Sequence, residues 1–282
     1  MELILTNRTR SGLFLFILQY MINRRSINKM GKYIKTGKCI WCGKEEPEVT
    51  FYTEPHILPH SLGGLEIGFD ICDECNHYFG TATKGKPSID LVYKEIMNAY
   101  RVFGNNLNSK SYKKLNSVFF SYYHSKGIIK IRSSFNPQII TRQFKRSLYN
   151  IFLQKYHAYT SNGNHPMFSA VRDFARFDIG NPKVFYLYNN LIFRPDNINN
   201  PSLLINDKVI DDMMNFGIFP FWCMGQYFYL EIFPTLFTAK GHIYLQNEAN
   251  TYLINVFGNE RILELTDIRK IDFFMLRFSK TK

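Results

Sequence analysis

CIWCGKEEPEVTFYTEPHILPHSLGGLEIGFDICDECN, residues 39–76, carries two CxxC pairs, Cys39/Cys42 and Cys72/Cys75, separated by 29 residues. Two residues between thiols let both sulfurs reach one ion from a single tight turn, and Gly43 suits that turn. Two matched pairs therefore predict a tetrahedral four-thiolate zinc site. Four thiolates leave no open position, so such a zinc is structural, and its binding energy would hold together a module too small to fold alone. The fifth cysteine, Cys223, lies in the apolar run FPFWCMGQYFYL and reads as a buried core thiol.

Working outward, the chain of 282 residues is 45% hydrophobic and 16% aromatic, enough for a sizeable core and against disorder. Lysine and arginine number 35 against 23 acidic residues, giving a net charge of +12 and a pI near 9.4. That balance favours a polyanionic partner, nucleic acid first and an anionic membrane surface second. The apolar segment LFLFILQYM, residues 13–21, is too short to span a bilayer, which needs ~20 apolar residues. No membrane association is expected. An odd cysteine count with two tight pairs suits a reducing compartment, and the expected location is cytoplasmic.

Residues 1–35 read as a basic extension, 36–87 as a small zinc-held module, and 88–282 as a larger α+β domain with a mostly antiparallel sheet. Ser88 can cap a helix whose apolar face holds Val92, Ile96, Ala99/Tyr100 and Phe103. Residues 117–135 read as a β-hairpin turning at Ser125-Lys126-Gly127. A second helix is expected over 139–156, with Ile140, Phe144, Leu148 and Ile151/Phe152 inward and Arg142, Lys145, Arg146 and Lys155 on the rest. A shorter helix is expected over 166–176. Beyond Pro182, residues 183–194, 221–233, 241–246 and 251–257 are aromatic and β-branched and are expected as strands, with a surface loop over 195–202.

Between the cysteine pairs lie His56-Ile57-Leu58-Pro59 and Leu62-Gly63-Gly64, and the second pair runs on into Asn76, Phe79 and Gly80. This combination resembles the HNH endonucleases, also called His-Me finger or ββα-metal nucleases, in the subgroup held by a zinc knuckle. The resemblance covers residues 39–80. It implies that His56 is the general base and that Asn76, at the start of a helix, binds a catalytic Mg²⁺ or Mn²⁺. Chemically the roles fit: an imidazole titrates near neutral pH and can take a proton from water, and an amide oxygen suits a hard cation.

Two positions depart from the family pattern. Pro55 stands directly before His56, where relatives often have a metal ligand, so Glu54, one residue further back, His60 or water is left to fill that place. No asparagine stands around Ile67 to Phe69, so backbone groups or Asp70 are left to orient the loop. His60, His77, Lys84 and Lys86 are candidate substrate contacts.

Two readings follow. One is a metal-dependent HNH endonuclease acting on DNA, or alternatively RNA, in phage defence or a mobile element. The other is a catalytically weak or inactive zinc-dependent nucleic-acid-binding protein. In either, residues 88–282 could sense a ligand or partner.

Overall fold

One helix organises the molecule. Pro137–Thr160 (α3) is 24 residues long, and 16 of them are buried, so it is enclosed on nearly every side. Asn136 caps its start by accepting from the N–H groups of Gln138 and Ile139, and Pro137 supplies a preset first turn. The computed structural model describes residues 32–104, 116–123, 128–188, 202–253 and 261–270. The N-terminal extension through Gly31, the hairpin turn at 125–127, most of the loop 195–202 and residues 254–257 lie outside them.

Ahead of α3 come α1 (Asp73–Gly80), α2 (Ile89–Gly104) and the antiparallel hairpin β1 (Phe120–Tyr123) and β2 (Ile128–Ile131). After it come α4 (Ser169–Phe177), β3 (Val184–Tyr188), α5 (Asp207–Phe216), β4 (Ile218–Cys223), β5 (Gln226–Glu231), α6 (His242–Leu253) and β6 (Arg261–Glu264). The four later strands form one antiparallel sheet in the order β4-β5-β3-β6. The fold is α+β, as the sequence predicts. Pro220 sits on the edge strand β4, where a missing N–H costs least.

The sheet lies between two helical layers. Val184, Tyr186, Phe219, Phe221, Phe228 and Leu230 face α3, with the Phe152 and Phe219 ring centroids 4.7 Å apart and Phe144 and Phe228 5.6 Å apart. On the other face Phe185, Leu187, Ile218 and Tyr229 pack under Phe237, Tyr244 and Leu245. Period-two alternation along each strand supplies both faces, because each is covered.

Several expectations change. Of residues 241–246, expected as a strand, Gly241 ends a π-helical turn and 242–246 begin α6, and residues 251–253 end it. A π-helical turn at Phe237–Gly241 feeds this helix, and a Cβ at Gly241 would come within 2.0 Å of the Phe237 ring. Tyr244 and Leu245 are buried while Ile243 is exposed. Adjacent positions are thus buried together, a helical pattern and not a period of two. Residues 221–233 form a hairpin, not one strand: Met224 and Gly225 both take positive φ, 52° and 75°, as a two-residue turn with that handedness requires. Helix α5 is unanticipated, although Asn206 caps it and Gly217 ends it in the left-handed region.

Lys145 and Arg146, expected on the outer face of α3, are buried and partnered. Arg146 donates to the Phe174 and Ala175 carbonyls, to Gln143 and to the Tyr78 hydroxyl. Lys145 donates to Asn181, and burial pulls its ammonium down to about 8.

The cysteine-rich segment packs against the far end of α3. Asp70 and His157 meet at 2.9 Å with both side chains fully buried. The Gly163 N–H donates to His157 Nδ1, so His157 Nε2 carries the proton and donates to Asp70. Asp70 also accepts from the N–H groups of Lys35, Thr36 and Gly37 and from the Thr36 hydroxyl. Burial alone would raise this carboxyl, but the donors outweigh it and hold it well below the usual carboxylate range. Cys39, Ile57, Leu58 and Cys72 belong to the same apolar cluster as Phe144 and Phe228.

Asp70→Asn should therefore lower stability by about 3 kcal/mol in urea denaturation, since it removes one partner of a buried pair. Because the folded pKa lies below the unfolded value of 3.8, Asp70 stabilises the fold fully above about pH 4. That contribution disappears as the pH falls through the folded pKa, and the Asn variant should lack this part of the acid sensitivity.

Candidate functional site

The knuckle is built by two turns. Gly43 N–H donates to the Cys39 carbonyl at 2.9 Å, and Gly43 takes φ 73°, closing the first CxxC. Cys72 precedes the first turn of α1 and Cys75 lies within that turn, so the second pair sits at a helix N-terminus, whose partial positive charge favours thiolates. Trp41, inside the first pair, packs edge-on against Phe79 of α1 with centroids 4.9 Å apart.

All four sulfurs lie within 4.8 Å of one another. A tetrahedron with Zn–S bonds of about 2.3 Å has edges of about 3.8 Å; Cys42 Sγ and Cys72 Sγ are 3.8 Å apart. The donor set and spacing therefore fit zinc. Hydrogen bonds, first from Cys39, hold Cys42 and Cys72 below the usual thiol range, and the same contacts hold Cys39 and Cys75 above it. A divalent cation among the four removes that conflict. A four-thiolate zinc retains two net negative charges, and two donors are in place for them: Cys72 N–H to Cys39 Sγ at 3.4 Å, and Arg176 Nε to Cys75 Sγ at 3.5 Å. Arg176 also stacks over the Tyr78 ring at 3.8 Å, so α4 clamps α1 from outside.

Between the pairs, His56 and Ile67 form an antiparallel bridge. Ile57 N–H donates to Glu66 O at 3.0 Å and Gly68 N–H to Pro55 O at 2.6 Å. Backbone groups thus do the orienting work for which the sequence offers no asparagine; Asp70 instead anchors residues 35–37 and His157. A short turn at His60–Leu62 follows, ended by Gly63 at φ 92°, and at Gly64 a Cβ would sit 2.3 Å from the Leu58 carbonyl oxygen. Both glycines are obligatory here. Arg101 of α2 donates to the Leu62 carbonyl and pins this turn.

The His56 side chain is 29% exposed. Its Nε2 lies 3.8 Å from Glu54 Oε1, and Glu54 Oε2 accepts from the Tyr33 hydroxyl at 3.1 Å. His56 Nδ1 is shut off from solvent and has no hydrogen-bond partner among the described residues. The His60 ring lies 5.2 Å away, centroid to centroid. Asn76 Nδ2 donates to Thr53 Oγ1 at 3.1 Å, turning its carbonyl oxygen away from that bond. Thr53 also donates to Asp73 through its N–H at 2.8 Å and its hydroxyl at 2.7 Å. Burial would raise the Asp73 carboxyl, but hydroxyls from Thr50 and Thr53 bring it below its ordinary value.

Glu54, His56 and His60 are therefore gathered together, and Thr53, the residue before Glu54, is stitched onto the helix that carries Asn76. The other candidates are placed differently. His77 Nε2 pairs with Thr81 Oγ1 at 3.2 Å, one turn along α1. Lys86, expected to touch substrate, is engaged by Asp178 at 2.6 Å. Lys84 is exposed at the tip of the turn, with φ 49°. Sequence reasoning missed Tyr33, Thr53, Asp73 and Arg176; only Asp73 carried a signal, as an acidic residue in the first turn of a helix.

A histidine on a β-bridge is thus followed by a helix that starts at a four-cysteine knuckle. Residues 39–88 match the family model of the HNH endonucleases, so this segment is similar to the HNH module of those nucleases. No curated protein and no solved structure matches the chain. No helix among the described residues is long and apolar enough to cross a membrane.

Elemental analysis should find one zinc per chain. Cys72→Ser should abolish it, and a strong chelator should lower the melting temperature of the wild type while leaving that of Cys72→Ser unchanged.

Proposed function

We propose that this protein is a metal-dependent endonuclease that hydrolyses phosphodiester bonds in DNA. The observation that carries the reading is His56: it lies inside the segment that matches the HNH endonucleases, on a β-bridge, with its side chain partly exposed and Nε2 3.8 Å from the Glu54 carboxylate. Glu54, held by Tyr33, lies on the Nε2 side of the ring. The His56 imidazole takes the proton from the attacking water. Water attacks phosphorus, the bond to the 3′ oxygen breaks, and the products are a 3′-hydroxyl and a 5′-phosphate. A divalent ion, Mg²⁺ or Mn²⁺, would supply neutralisation of the phosphate and stabilisation of the leaving oxygen. Asn76 is the residue that fits it best, with Glu54 a further candidate ligand.

Residues 36–87 would form the nuclease module and 88–282 the accessory part that supports and targets it, with His60, His77 and Lys84 nearest the substrate. Lys86 would contribute only if Asp178 released it. Such an arrangement suits phage defence or a mobile element in the cytoplasm. The net charge of +12 accords with a polyanionic substrate.

One observation favours the alternative of a weak or inactive zinc-dependent nucleic-acid-binding protein: Pro55 occupies the position beside the base where a metal ligand commonly stands. Salt-sensitive DNA binding without cleavage under any divalent ion would establish that alternative.

His56→Ala should reduce Mg²⁺- or Mn²⁺-dependent plasmid cleavage by about a hundredfold to ten-thousandfold with the fold and zinc content unchanged. Identical cleavage by wild type and variant would refute the assignment of the base.

A further inference from the structure

Residues 177–180, at the C-terminal end of α4, lie outside the segment that matches the nuclease family. Here Phe177 is 47% exposed and Ile179 61%, flanking Asp178 on either side. Unpartnered apolar side chains are common on surfaces. What distinguishes these is how rigidly their backbone is held. Asp178 takes φ 64°, and the Ile179 N–H donates to the Asp173 carbonyl at 3.0 Å, closing the helix end. Arg142 Nη2 donates to the carbonyls of Asp178 and Gly180 at 2.8 and 2.9 Å. The Asp178 carboxylate accepts from Lys86 and from Arg142, each at 2.6 Å. Every hydrogen bond named here fixes backbone or Asp178, and none covers Phe177 or Ile179.

The frame is cationic. Arg142 and Lys86 flank the pair by holding Asp178, and Arg176 precedes it on α4. Arg176 lies 5.3 Å from the Phe177 ring centroid. A second copy of this chain is a poor occupant, because two molecules at +12 repel. An occupant with negative charge and flat apolar faces is a polynucleotide whose bases are accessible. The patch also adjoins the candidate site: Lys86 belongs to the turn that follows α1, the helix carrying Asn76.

We propose that Phe177 and Ile179 form a preorganised wedge, framed by Arg142, Arg176 and Lys86, that contacts the unpaired bases of a single-stranded or locally opened polynucleotide. This deepens the nuclease reading and rests on it. Preorganisation matters because a loop already held in its bound shape pays no ordering entropy on binding. Aromatic stacking tolerates any base, so the wedge selects strand state over sequence.

The test uses the full-length, zinc-loaded protein and a labelled oligonucleotide, single-stranded or annealed to its complement, with fluorescence anisotropy as readout and no added Mg²⁺. The double variant Phe177→Ala/Ile179→Ala should bind the single strand about tenfold more weakly. Its salt dependence should match that of the wild type, because no charge is removed. Phe177→Trp should bind at least as tightly as wild type. Both side chains are exposed, so the melting temperature should not move. Equal single-strand affinity in wild type and double variant overturns the wedge while leaving the nuclease reading standing. Wild type that neither binds nor cleaves nucleic acid overturns both. Loss of binding only to anionic lipid vesicles, with oligonucleotide binding intact, assigns the patch to a membrane surface and overturns the wedge.

Discussion

Asp70 and His157 meet where the cysteine-rich segment joins the central helix, and the placement of both depends on that contact. A buried carboxylate is costly unless its charge is met by donors. Asp70 meets that condition with an imidazole, a hydroxyl and three backbone N–H groups. Three of its donor residues, Lys35 to Gly37, lead directly into Cys39, and Asp70 itself stands two residues before Cys72. The Ile40 N–H donates to the Asp70 carbonyl at 2.8 Å, tying the strands of chain that carry the two cysteine pairs. One buried carboxylate thus sets the distance between the two halves of the knuckle before any metal contributes.

The knuckle in turn positions the chemistry. Helix α1 begins at the second cysteine pair and carries Asn76, and Thr53 and Asp73 sew the loop before His56 to its first turn. Zinc would act on the site indirectly, by fixing the direction of α1. Arg176 reaches the same assembly from α4, through Cys75, Tyr78 and Glu74. The later helices are therefore a wall of the cysteine-rich segment and not an appendage, because they supply Arg176, which donates to a sulfur and stacks on a ring, and the buried imidazole of His157.

Legibility in the sequence followed the kind of physics involved. The four cysteines, Gly63 and Gly64 were readable because metal geometry and backbone sterics act over short stretches. The apolar stripe of α3 was readable for the same reason, as was the sheet-forming character of residues 184–188. Lys145 and Arg146 were not, since their burial depends on carbonyls and hydroxyls contributed from α1, α4 and the chain beyond it. The start of α6 was misread because Gly-His-Ile-Tyr-Leu-Gln has strand-like composition, and only the covered face of the sheet decides in favour of a helix. His56 could be singled out from its motif, whereas its support by Tyr33 through Glu54 joins residues 21 apart and has no local signature.

The partnership of Asp70 with His157 spans 87 residues of sequence, which has a consequence for synthesis. A ribosome adds roughly 5–20 residues per second. Both cysteine pairs are therefore made seconds before the imidazole that will bury their neighbour. During that interval the nascent segment holds four free thiols and a carboxylate without its main partner. A metal captured then would keep the sulfurs from oxidation and hold the two turns in register until α3 arrives to close over them.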